Sequence, residues 1–347
     1  MGPPRRRLAT ATFLIVRDRA GPAQVVVTDD DARALVDTLG EESVVRVEGV
    51  VTANVKAPAG VEITAPVITM LSAPAVTSPI ELWRPTLGVS LPTFLDHAAL
   101  AWRHPSQRAV WQLAAASMRG FRAALDARGF TEITTPKLVA GSTESGAEVF
   151  TVDYFGRTAY LAQSPQFYKQ MMVGVFERVY EVGPVFRAEP HDTTRHLAEY
   201  VSLDAEMGFI TDHRDVLAVL RHVLATMVET ITNTASEAVS LAGAGLPQVP
   251  EQIPIIHFAD ALTLVGANPG EPDLSPEHER TLGAWALDRY GSDFLAVEGY
   301  PAVTRPFTPT PSRTTPGGRT PSTCFSAASS WSPAASDCTS GPTTRRR

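Results

Sequence analysis

Arginines, carboxylates and histidines crowd into one short stretch, RVYEVGPVFRAEPHDTTRHLAEYVSLDAEMGFI from Arg178 to Ile210, and these residue types suit the binding of anions. Arg187 closes the first half of the stretch, where a planar guanidinium can grip a phosphate or carboxylate through paired hydrogen bonds. Arg195 and His196 return from the intervening polar segment towards the same place. The elements that must position them are two strands: Val179, Tyr180, Val182, Val185 and Phe186, then Tyr200, Val201 and Leu203, are β-branched, aromatic or aliphatic. The residues from Glu189 to Arg195 then join antiparallel neighbours. In outline this is a nucleotide site; the alternative is a charged hairpin on a solvated face.

FRAE, followed after a loop by RHLAEY and LDAEM, resembles the second signature motif of the class II aminoacyl-tRNA synthetases. GFTEITTPKL, from Gly129 to Leu138, resembles their first motif, a helix running into a strand that ends at a proline, here Pro136. STESGAEVF and LAQSPQFYKQ narrow the resemblance to the aspartyl-tRNA synthetases of the archaeal type, over roughly Phe13 to Phe307. It implies an α+β protein: an N-terminal OB-fold-like β-barrel, then an antiparallel synthetase sheet flanked by helices and incomplete at its C-terminal end. The domain limits expected are 1–77 for the anticodon-binding barrel, 78–105 for a hinge, 106–307 for a partial catalytic domain and 308–347 for a disordered tail.

Size and composition allow this. A chain of 347 residues with 44% hydrophobic content has room for two cores. A formal charge of −7 argues against general adhesion to nucleic acid, so tRNA must be held by local surface rather than bulk field. No apolar run is long enough to cross a membrane, and a cytoplasmic location is expected. Cys324 and Cys338 have no histidines at ligand spacing, so they suggest neither a zinc site nor a disulfide scaffold.

Between Thr12 and Leu71 the short runs FLIV, AQVVV, VVRVEGVV and VEITAPVITML read as strands, with DARALVDTLG as a helical patch. By composition this is some small β-domain; the resemblance makes it the OB-fold, although no first strand is legible before Leu8. From Ser106 a helix is expected, with Val110, Leu113, Ala114, Phe121 and Leu125 on one face and Gly129 as its stop. That stripe is either plain core or, as the resemblance implies, part of a homodimer contact made by residues 106–136. A second amphipathic helix is expected over about Asp215 to Thr232.

The resemblance also assigns chemistry. Arg187 bridges the ATP α-phosphate and the carboxylate of L-aspartate, as the catalytic cation. Glu189 contacts the adenine or amino acid side, Arg195 and His196 meet the outer phosphates with Leu197 beside them, and Tyr200 stacks on adenine, unless it is simply a strand core aromatic. Glu144 holds the substrate ammonium, in a TESGA segment where the family usually has TEGGA. Gln166 lies one helical turn before Lys169, whose ammonium neutralises the aspartate side chain; the related asparaginyl enzymes lack that lysine. Phe13, Gln24 and Glu62 fall where an anticodon base is stacked and hydrogen-bonded, in tRNA(Asp) and possibly tRNA(Asn).

The last forty residues contain no Leu, Ile, Val, Met or Lys, and about two thirds of them are Ser, Thr, Pro or Gly. They read as a flexible tail or as a shifted reading frame in a GC-rich gene. In the family the Mg2+ ligands, an arginine for the substrate and the third motif lie beyond the position of Phe307, so no metal ligand is assigned here, Glu298 included. The expected function is aspartate-tRNA ligase using ATP and Mg2+, with this chain forming little adenylate. The rival readings are an inactive anticodon-binding fragment and a paralogue that makes free asparagine.

Overall fold

The computed structural model describes residues 5–57, 60–74, 76–143, 148–188, 197–301 and 324–327, in two compact units, Met1–Val110 and Trp111–Arg347. In the first unit β1 (Arg5–Arg7), β2 (Thr12–Arg17), β3 (Pro22–Val27), β4 (Val44–Ala53) and β5 (Val61–Ser72) form one sheet in the order β1-β2-β3-β5-β4. Only β3 and β5 run parallel within it. A short strand, β1, precedes Leu8 at the edge of the sheet. It is three arginines long and pairs with β2, and with Arg6 and Arg7 exposed it carries no apolar signal.

Alternation sets the two faces of this sheet. Leu14, Val25, Val27 and Ile68 turn inward onto Val36 of α1 (Asp30–Thr38), while Phe13, Gln24 and Val26 occupy the intervening positions. The Asp29 carboxylate caps α1 by accepting from the Ala32 N–H at 2.9 Å. Gly49 sits where β4 slips register, and a Cβ there would lie 2.6 Å from the Ile63 side chain and 2.8 Å from the Thr64 carbonyl. The proline-punctuated stretch expected as a hinge carries its own small core of Ile80, Leu82 and Ala101, built around α2 (Leu91–Asp96) and α3 (Ala98–Ala101).

The helix α4 (Pro105–Asp126), most of which belongs to the second unit, stops where the sequence places the stop, at Gly129 with φ +75°. Its buried face differs from the expected stripe. Ala109, Ala116, Phe121, Ala124 and Leu125 are covered, whereas Val110 and Ala114 are exposed. The reason is Gly120, where a Cβ would stand 2.6 Å from the Met227 Cα: the crossing helix comes so close that only glycine fits, and this rotates small residues into the contact.

That crossing helix is α6 (His213–Leu241), started by the Asp212/Asp215 capping box and kinked at Ala235. Together α4 and α6 cover one face of the sheet β11-β10-β6, formed by β6 (Thr131–Glu132), β10 (Arg178–Phe186) and β11 (Glu199–Met207). β7 (Leu138–Val139), β8 (Thr151–Tyr154) and β9 (Arg157–Leu161) make a second sheet and lead into α5 (Gln166–Phe176), which packs on β10 and β11. A third sheet joins β12 (Ile255–His257), β13 (Phe294–Glu298) and β14 (Cys324–Ala327), with α7 (Phe258–Leu264) and α8 (Pro276–Tyr290) over it. β14 lies inside the segment expected to lack structure. It pairs antiparallel with β13 through its backbone, an interaction that needs no large apolar side chain.

Candidate active site

The register of β10 and β11 decides what the site contains. Val185 pairs with Tyr200, Gly183 with Ser202, Glu181 with Asp204 and Val179 with Glu206. Residues directly opposite in an antiparallel pair share a face, so Glu181, Tyr200, Ser202, Asp204 and Glu206 stand on one side, and Tyr180 and Val182 on the helix-covered side. Arg187 continues the ladder by donating its N–H to the Ala198 carbonyl at 3.0 Å, and its guanidinium carbon lies 5.8 Å from the centre of the Tyr200 ring. The arginine and the aromatic assigned to ATP are thus neighbours. Leu197 is exposed beside them, while Glu144, Glu189, Arg195 and His196 lie outside the described residues.

Lys169, one turn after the half-buried Gln166 on α5, is buried against this polar face. Its ammonium donates to Asp204 at 2.9 Å and lies 3.5 Å from Glu206. Asp204 also accepts a very short hydrogen bond from the Ser202 hydroxyl. These partners were missed in the sequence, although DAE in LDAEM has the period-2 spacing that puts both carboxylates on one face.

Glu181 has its own partners. It accepts from the Thr135 N–H and hydroxyl, both at 2.8 Å, and from Lys137 at 2.9 Å. Gln163, fully buried, accepts from the Ser142 hydroxyl at 2.7 Å and the Thr143 N–H at 3.2 Å, which fixes the chain just before Glu144. At the end of β13, Glu298 binds Arg214 and His213, both at 2.9 Å. Burial alone raises its carboxyl, but those two bonds outweigh burial and leave it below the ordinary carboxylate range. Among the described residues no three His, Cys, Asp or Glu side chains converge in a manner suited to a metal ion.

In the first unit the three anticodon candidates share one sheet face. Gln24 pairs with Glu62 across β3 and β5 and donates to its carboxylate at 3.0 Å. Phe13 lies on the same face, two positions along β2 from Ile15, the partner of Gln24. Asn54, which the sequence did not flag, also donates to Glu62, at 2.7 Å.

Residues 90–327 match the family model described as tRNA synthetases class II (D, K and N), and residues 4–71 match an OB-fold nucleic acid binding domain. The chain belongs to the class II tRNA synthetases. This class II chain is 45% identical over 306 residues to an aspartate–tRNA(Asp/Asn) ligase of Thermus thermophilus, a match covering 87% of this chain and 71% of the relative. An aspartate–tRNA(Asp/Asn) ligase of Aeropyrum pernix is 41% identical over 315 residues, covering 87% and 70%. Among solved structures, asparaginyl-tRNA synthetase from Pyrococcus horikoshii with asparaginyl-adenylate superposes with a TM-score of 0.83 at 28% identity, covering 94% of this chain and 75% of that one. The first unit is an OB-fold domain, as the sequence led us to expect, and the second carries the α+β synthetase fold. Among the described residues no helix is long and apolar enough to cross a membrane.

Proposed function

We propose that this chain is an aspartate-tRNA ligase. The α-carboxylate of L-aspartate attacks the α-phosphate of ATP, releasing pyrophosphate. The 3′-terminal hydroxyl of tRNA(Asp), and of tRNA(Asn) as a second acceptor, then attacks the aspartyl carbonyl and releases AMP. The observation that carries this reading is the polar face of β10 and β11, where Arg187 lies against Tyr200 and Lys169 is held by Asp204 and Glu206. A fixed guanidinium at Arg187 stabilises the charge that develops on the transferring phosphate, and it needs no reorganisation during the reaction. Tyr200 offers its ring to adenine, and Gln166 and Glu144 meet the amino end of the substrate. Glu189, Leu197, Arg195 and His196 complete the nucleotide side.

ATP chemistry of this kind uses Mg2+, but the described residues offer no group that fits the ion, and no step is assigned to it. Residues 1–77 form the anticodon-binding domain, with 78–105 leading to a catalytic domain over 106–307. Assembly is as a homodimer through residues 106–136, for which the exposed indole of Trp111 on α4 is the supporting feature.

Thermal denaturation with non-hydrolysable adenylate analogues tests the substrate. A ligand that binds only the folded protein raises the melting temperature by mass action. The aspartyl analogue should stabilise the protein more than the asparaginyl one. Equal shifts, or a larger one with the asparaginyl compound, would overturn the assignment of aspartate.

A further inference from the structure

Three carboxylates and two lysines share the polar side of β10 and β11, and the pairing register sets like charges against each other. Glu181 on β10 stands directly opposite Asp204 on β11. Side chains of one sign in that relation weaken a sheet unless each has its own counter-charge. Asp204 has Lys169, which donates to it at 2.9 Å and lies 3.5 Å from Glu206. Glu181 is buried more deeply and takes its cation from a different segment: Lys137, just before β7, donates to Glu181 Oε2 at 2.9 Å. Thr135 ties the pair together. Its hydroxyl donates to the same Glu181 oxygen at 2.8 Å and accepts from Lys137 at 3.1 Å. Among these five side chains one negative charge is left over, and loss of Lys137 would leave two.

We propose that Lys137 is a positioning residue that sets the choice of amino acid without touching it. By neutralising Glu181 it removes a negative charge that would otherwise oppose the side-chain carboxylate of aspartate and draw the Lys169 ammonium away from it. Asparagine has a neutral side chain and does not feel that charge, so the Lys137–Glu181 pair acts on the difference between the two substrates. This inference rests on the reading of Lys169 as the partner of the aspartate side chain, and it adds a residue that works through a neighbouring carboxylate.

The test is calorimetric binding of non-hydrolysable aspartyl- and asparaginyl-adenylate analogues to the 347-residue protein, read as the ratio of the two affinities. Lys137→Met should lower the aspartyl-to-asparaginyl ratio on the order of tenfold, the effect of one unit charge across about 10 Å at an effective dielectric near 20. A purely structural role would weaken both analogues alike and leave the ratio where it was. Lys137→Met/Glu181→Gln removes both charges together and should return the ratio to within about twofold of the parent. Glu181→Gln alone leaves the Lys137 charge unopposed and should raise the ratio severalfold, which decides the matter even where Lys137→Met does not fold. A ratio that Lys137→Met leaves unmoved, a fall that the double variant fails to reverse, or an unchanged or lower ratio in Glu181→Gln would each overturn the role of Lys137. Lys169→Met separates this inference from the reading beneath it. If that variant loses the aspartyl preference while the Lys137 and Glu181 variants keep it unchanged, only the inference is lost. If the parent has no aspartyl preference, or Lys169→Met retains it, the reading of Lys169 is wrong and the role of Lys137 falls with it.

Discussion

Replacing Lys169 by methionine removes the one ammonium shared by Asp204 and Glu206 and leaves two carboxylates side by side on β11. Deleting one partner of a buried ion pair costs about 3–5 kcal/mol, because the remaining charge keeps its desolvation penalty. Here the carboxylate side chains retain 16% and 30% of their exposure, which lowers the expected loss to about 2–3 kcal/mol. For a unit of this size that is a fall of about 5–10 °C in melting temperature. Binding of the non-hydrolysable aspartyl-adenylate should weaken on the order of a hundredfold, since its carboxylate loses a charged donor. The double variant Lys169→Met/Asp204→Asn separates the two effects. It should recover at least half of the lost stability by removing one unpaired charge, and none of the lost affinity. A single variant that melts within about one degree of the parent would refute the buried-pair argument. Recovery of affinity in the double variant would refute the role of Lys169 in meeting the substrate.

Gly120→Ala places a methyl group 2.6 Å from the Met227 Cα, and forcing α4 and α6 apart should cost about 1–3 kcal/mol in a urea melt. Arg187→Ala should weaken binding of the aspartyl-adenylate analogue by about tenfold or more, measured by calorimetry, with little change in melting temperature. Glu42 is held by Arg17 at 2.5 Å and Arg103 at 2.6 Å; burial raises its carboxyl, but these two bonds outweigh burial and lower it. A carboxyl with a lowered folded-state pKa stabilises the protein above its unfolded value and loses that contribution as the pH falls. Glu42→Gln should therefore melt below the parent at pH 7, and the difference should shrink as the pH falls below the ordinary glutamate range towards the lowered folded-state pKa. Trp111→Glu should shift the protein from dimer to monomer in sedimentation velocity if α4 forms the subunit contact.

How much of this was legible in the sequence follows from the range over which each feature is encoded. The strands β2 to β5, β10 and β11, the part of α6 from about Asp215 to Thr232 and the stop of α4 at Gly129 are local patterns of period 2 or 3.6 with their own punctuation, and they were read directly, whereas the capping box that starts α6 and its extension to Leu241 were not. The neighbouring positions of Gln166 and Lys169 followed from helical spacing alone. The edge strand β1 was missed because the exposed Arg6 and Arg7 carry no burial pattern, and β14 because backbone pairing asks little of side chains.

The geometry of the candidate site depends on the tertiary structure. Sequence supplied Arg187, Tyr200 and Lys169 as types in a motif, but the pairing of Val185 with Tyr200 is what sets the arginine beside the ring, and a slip of one residue would have turned Tyr200 to the other face. That Lys169 is committed to Asp204 and Glu206, and that Gln24 reaches the Glu62 oxygen to which Asn54 also donates, depends on contacts between segments far apart in the chain. Gly120 is the same lesson in the core: its need for a missing side chain is created by a helix more than one hundred residues away, at Met227. Local preference decides which elements form, because backbone sterics and burial act over a few residues. Which faces meet, and which charges must share a partner, is fixed only when register and close approach bring distant residues together.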